Sequence, residues 1–212
     1  ARARAPSYSR RRLSQSSVPS LVKGSAIREF VLWYEAEHGR DYVRDMMQRV
    51  SLDHREYVYP ERAAFGLVAT EWYPSALVFA LLDAVAHDRS DEEMSAIVEA
   101  GTSFAVRRLS RGLYQFLFRM VGSPGLYARH IQKAWNLLHN TGTRRIEIVR
   151  EGLADSTIRD WPGHHRWLCE ITTSTMRSVF SAMGCREVSL ERVSCVSSGA
   201  PLCRARVGYY DP

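Results

Sequence analysis

The sequence predicts an α+β domain in which an N-terminal helical bundle packs on a four-stranded antiparallel sheet. Three observations predict it. Apolar residues recur at three- and four-residue spacing from Ser25 to Leu138. The period switches to two at Arg145–Ile148 and again in the last 25 or so residues. A long helical pattern from about His164 to Met183 separates the two alternating stretches, so helices come first and sheet late.

The 212 residues allow one large domain plus an arm, and 45% hydrophobic with 25% charged residues is ordinary for a soluble globular chain. A chain of this length buries roughly 70% of its unfolded surface, so it needs no disulfide scaffold. Four cysteines point instead to a reduced, cytoplasmic setting. The longest apolar run, Ala76 to Ala86, is broken by Asp83 and falls short of the roughly 20 residues of a membrane span, so no membrane is expected.

Residues 1–20 are rich in Arg, Ser and Pro and read as a basic, flexible arm. Arg2, Arg4, Arg10, Arg11 and Arg12 carry most of the net charge of +6, leaving the domain, residues 21–212, near neutral. Ile27, Phe30, Val31 and Tyr34 share a helical face that Gly39 closes. A short helix follows from about Asp41, its N-cap, to Val50, and Pro60 keeps residues 51–66 irregular. The helix from about Ala76 to Ala86 is apolar nearly all round and is expected at the centre.

Ser90-Asp-Glu-Glu93 is a capping box before the next helix, and Ser123-Pro124 places a cap and a first-turn proline before another. That helix ends at Asn140-Thr141-Gly142. Two strands around Arg145–Ile148 and Leu153–Arg159 flank the turn Glu151-Gly152. Gly184 closes the long helix before the final hairpin.

Phosphate-loop, zinc-protease, nucleophile-elbow and C-x-x-C motifs are all missing, so an enzyme is not expected. Adjacent His164 and His165 diverge by about 100° at a helix start and read as surface or capping residues. His139, at a helix end, is expected on the local carbonyls. In the last strand Cys203, Ala205, Val207 and Tyr209 share a face. In its partner Val188 and Leu190 have one parity, Val193 and Cys195 the other, so burying both pairs requires a bulge near Glu191-Arg192. Cys195 and Cys203 then become neighbours, and Cys169 lies on the helix packed above. Three thiols with Glu191 make a tetrahedral zinc set. Trp72, Trp135 and Trp167 are expected to border a ligand pocket between helices and sheet.

The tail Cys195-Val-Ser-Ser-Gly199-Ala-Pro-Leu-Cys203 resembles the end of 4-vinyl-reductase-type domains, small-molecule sensors whose fold is related to haem–nitric-oxide-binding domains. Lys23-Gly24-Ser25, Trp72-Tyr73-Pro74, Ala134-Trp135-Asn136 and Thr141-Gly142 resemble the layout of an uncharacterised family frequent in myxobacteria. In aromatic-sensing members of the first group, cysteines spaced like these three hold zinc with a glutamate three residues before the second cysteine. That position here is Arg192, with Glu191 one residue earlier. The resemblance implies zinc but offers no haem ligand, so no haem is expected.

The function expected is therefore a non-enzymatic sensory domain. It would bind a small apolar or aromatic molecule and signal as a homodimer or through a partner surface. The alternative is an interaction module whose arginine arm grips a phosphate-bearing ligand (a nucleotide, a cyclic dinucleotide, nucleic acid) or an acidic protein, because guanidinium groups pair bidentately with phosphate.

Overall fold

The structure, a computed structural model, describes residues 18–109 and 122–210. Strand β1 (Leu21–Lys23) leads into α1 (Gly24–His38), which buries Ile27, Val31, Trp33 and Tyr34 on its inner side. Gly39, at φ 82°, turns the chain into α2 (Arg40–Met46). Gly39 is thus the cap, and Asp41 sits in the first turn instead of at the N-cap position expected for it. A four-residue helix, α3 (Leu52–Arg55), interrupts an otherwise irregular stretch.

Strand β2 (Trp72–Pro74) pairs antiparallel with β1, a two-stranded sheet that apolar periodicity does not announce in three-residue segments. Helix α4 (Ser75–Ala86) buries Leu77, Val78, Leu81, Leu82, Ala84 and Val85 on one side and exposes Ala76 and Asp83 on the other, so it is one-sided and not the all-round buried helix expected. The capping box before α5 (Asp91–Leu109) is formed: Glu93 N donates to Ser90 Oγ at 3.2 Å, and Ser90 N donates to Glu93 Oε2 at 2.7 Å. Gly101 lets α5 approach α1 closely, since a Cβ there would stand 2.4 Å from the Phe30 ring. Ser123 caps α6 (Pro124–Leu138) by accepting from Leu126 N.

Strands β3 (Thr143–Arg150) and β4 (Leu153–Arg159), helix α7 (Arg166–Ala182), and strands β5 (Arg186–Ser194) and β6 (Cys203–Tyr210) complete the chain. The sheet order β3-β4-β6-β5 is antiparallel throughout and places the last strand in the interior. That position explains why β6 buries Cys203, Ala205, Val207 and Tyr209, whereas the edge strand β5 exposes most of its length. Helix α6 packs on β3 and α7 on β5 and β6, while α5 bridges α1 and α7. The expectation of an N-terminal bundle on the sheet therefore narrows to a mixed helix-and-sheet fold with one four-stranded antiparallel sheet. Among the described residues no helix is long and apolar enough to cross a membrane. The arm with Arg2, Arg4, Arg10, Arg11 and Arg12 lies outside the described residues.

Candidate metal centre and ligand cavity

The parity conflict in β5 is resolved by a bulge, one step later than expected. Arg192 pairs with Ala205 and Ser194 with Arg204, so Val193 is the extra residue and is pushed outward to 42% exposure. A second irregularity lies between Arg186 and Ser189, where Glu187 has φ 50°. Past Val193 the chain turns Cys195 inward, and a short helical turn ending at Gly199 (φ 83°) returns it to Cys203.

The three expected thiols meet. Cys195 Sγ lies 3.8 Å from Cys169 Sγ and 3.7 Å from Cys203 Sγ, and all three side chains are buried. The fourth member is His164, whose Nε2 is 3.4 Å from Cys195 Sγ. The four potential ligand atoms lie within 4.8 Å of one another. Cys203 is held near a pKa of about 5, first by the hydrogen bond from Cys169 and then by the Val196 N–H at 3.4 Å, against the desolvation that raises it. Cys169, as donor to that sulfur and buried beside it, is pushed up.

Glu191 is not part of this group, which corrects its assignment as a ligand. It stands opposite Arg206 in the register, on the solvent side, with its carboxylate 3.6 Å from that guanidinium and its side chain 66% exposed. The bulge falls too late in the strand to turn it inward. His164 also departs from the surface role expected of it, whereas His165 stays outside the cluster and reaches Asp83 Oδ1 at 3.1 Å. Adjacency at the helix start sends the two rings apart, and one of them is the one the thiols need.

A cavity of about 220 Å³ occupies the interior, walled by α1, α4, α5, α6 and α7 together with β3. Trp135 lines it. Trp72 does not: it sits on β2, 37% exposed, under Lys23 Nζ at 4.7 Å from its ring centroid. Trp167 is buried but is not among the cavity walls, and Arg166 covers its ring at 4.2 Å. The polar groups in the walls were not expected. They are Tyr34, Thr102, Tyr127, His139, Arg144, Thr172 and Thr175.

His139 stacks on Trp135 at 4.0 Å and meets Trp161 edge-on at 5.3 Å. Burial, with the nearby Arg144 charge, depresses its pKa to about 3, so the ring is neutral. Its Nδ1 has no partner among the described residues, which replaces the expected bonds to helix-end carbonyls. Arg144 was legible in the alternation: if Ile146 faces inward on β3, so does Arg144 two residues earlier. Tyr34, pushed up to about 12 by burial, accepts from Arg89 Nη2 at 2.8 Å and so ties the cavity wall to the surface.

No protein-family model matches the chain, and no curated protein matches it. Solved structures do. An H-NOX protein from S. oneidensis in the Fe(II)NO ligation state superposes with a TM-score of 0.65 at 12% identity, covering 89% of this chain and 99% of that one. Fe(II) unliganded H-NOX protein from K. algicida gives 0.64 at 13% identity, covering 90% and 97%. A structure described as probing the function of heme distortion in the H-NOX family gives 0.62 at 13%, covering 90% and 96%. These neighbours correct the expectation that the fold brings no haem, because the proteins that share it are described by their iron and heme states. The chain has the fold of the haem–nitric oxide/oxygen-binding domains.

Proposed function

We propose that this chain is a ligand-sensing domain, not an enzyme. In it, a small apolar or aromatic molecule occupies the interior cavity, and a zinc ion clasps α7 to the β5–β6 hairpin. The observation that carries the reading is the cavity itself, about 220 Å³ of space in the core of a fold whose neighbours are described by what they ligate. Occupancy would shift a pre-existing equilibrium of the helices around it and be reported through a dimer or partner face.

The metal reading rests on donor chemistry. Three thiols and an imidazole make a Cys₃His set, the ligand types that select a closed tetrahedral zinc site. Such a site would be structural, since its four protein ligands leave no open position for substrate. It takes the place of the thiol–Glu191 set.

Haem is a second reading, favoured by one observation: a neutral, buried histidine and a buried arginine stand in the wall of the same cavity. His139 would supply the imidazole and Arg144 would face the propionates. Bound haem would supply an iron centre for a diatomic gas. The cavity, at about 220 Å³, is below the roughly 300–1,000 Å³ of typical organic-ligand pockets, which is why the smaller molecule is the first reading.

Indole titrated into the metal-loaded protein tests the cavity. Saturable NMR shifts at Ile131, Leu168 and Trp135 are expected, and no saturable binding would remove the reading. Haemin added in parallel distinguishes the second reading: a Soret band that shifts in the wild type and not in His139→Ala identifies His139 as the axial ligand.

A further inference from the structure

Arg144 is buried to 6% exposure in the cavity wall. Its Nη2 donates to Thr172 O at 3.3 Å, its guanidinium lies 5.7 Å from the Trp135 ring centroid, and its Nε finds no partner among the described residues. No described Asp or Glu pairs with it, and the ionisable groups that favour its charge are the Tyr127 hydroxyl and the Cys169 thiol. The undescribed residues contain a single carboxylate side chain, Asp211. In sequence it follows Tyr210, whereas the β6 residue in the row of Arg144 and Ile158 is Cys203. The eight residues from Cys203 to Tyr210 span roughly 23 Å of strand.

An arginine in this position cannot shed its proton. A buried charge left without a counter-charge costs several kcal/mol, and sequences rarely tolerate that cost without a use for it. The surroundings add direction. His139 and Arg144 both lie against Trp135, and His139 has its own unpartnered Nδ1, so the polar end of the cavity is concentrated there. The wall residues Ile27 and Val31 of α1 and Val78, Leu81, Leu82 and Val85 of α4 offer only hydrocarbon.

We propose that the ligand of this cavity is an amphipathic carboxylate, anchored by its acidic headgroup on Arg144 at the Trp135 end with its apolar body among α1 and α4. The proposal rests on the cavity reading given above and names the ligand's chemical class. A rival account of the same arginine is that it balances the thiolates of a metal-loaded Cys cluster through Cys169.

Calorimetric titration of the full, metal-loaded chain with octanoate and with 1-octanol separates these. A charge-assisted hydrogen bond favours the acid by roughly ten- to hundredfold. The wild type is therefore expected to bind octanoate at least about tenfold more tightly, with the preference surviving added salt because the pair is buried. Arg144→Gln is expected to erase the preference and leave octanol affinity and metal content unchanged. Equal affinity of the wild type for the two probes overturns the headgroup assignment while the cavity reading stands, and it does so whether or not the variant folds. Loss of metal in Arg144→Gln with the preference intact overturns it in favour of the rival. Binding of neither probe removes cavity and headgroup together. Competition by haemin identifies a porphyrin carboxylate as the source of the headgroup, and its failure an open-chain one.

Discussion

The two ends of one stretch of α7 solve the problem of buried polar groups in opposite ways. At Cys169 the thiol has Cys195 and Cys203 beside it, and His164 and Val196 N complete a set in which the polar atoms face one another. One turn later, at Thr172, the helix meets a cavity where Thr102 Oγ1, His139 Nδ1 and Arg144 Nε have no partner among the described residues. The first arrangement is self-sufficient and needs only a cation to lock it. The second is incomplete as protein alone. Buried polar groups are satisfied almost everywhere in native folds, so an unsatisfied group next to an internal space marks where something else belongs.

The largest effect is expected from breaking the self-sufficient end. Cys195→Ala removes the sulfur that touches both other thiols, and metal content by elemental analysis should fall from one equivalent to none. Structural zinc supplies folding free energy, so a loss on the order of 5 kcal/mol, read as a fall in Tm of roughly 10–20 °C, is expected. Glu191→Ala should change neither quantity. Metal retained in Cys195→Ala and lost in Glu191→Ala would restore the carboxylate as the ligand.

A smaller effect tests the incomplete end through pH. His139 is neutral when folded, with a pKa of about 3 against an ordinary 6.5. As pH falls below 6.5 the unfolded chain takes up a proton that the folded chain refuses, so stability declines from there down to about pH 3. At pH 5 this group alone accounts for about 2 kcal/mol. Urea unfolding of His139→Phe should show a shallower loss between pH 7 and pH 5 by that amount, and an unchanged slope would mean that the ring is hydrated.

The smallest effect is a gain. Thr102→Val replaces a buried hydroxyl without a described partner by a methyl of similar shape, and the ligand-free protein should become more stable by about 1 kcal/mol. A loss of that size would show that the hydroxyl is already bonded.

How much of this was legible in the chain depends on the range over which each residue acts. Caps and periods are local, so Ser90…Glu93, Ser123-Pro124 and the apolar α4 are visible in a few residues. The bulge was readable as a parity conflict, but its position was not. It is set by the pairing with β6, which keeps Glu191 in register opposite Arg206 and leaves Val193 as the extra residue. His164 could not be found from spacing, because the turn after Trp161 carries it to Cys195 across 31 residues. Trp72 misled for the reverse reason: a three-residue strand has no period to show which face is inside. Arg144 is legible by the same alternation, since a charged residue two before a buried isoleucine on a strand shares its inward face.

Residues Pro19 to Lys23 are fastened to the turn that follows α6 and to β2. Asn140 Nδ2 donates to Pro19 O, Leu21 N donates to Asn140 Oδ1, Ser20 Oγ meets Thr141 Oγ1, and Val22 bridges to His139. The arginine-bearing segment therefore joins the fold at an anchorage shared with the histidine of the cavity wall. Displacing Pro19 to Val22 would disturb the backbone that sets His139, and a change in the set of His139 would be felt at Val22. The seam is a tether between the chain entering β1 and the His139 wall of the cavity.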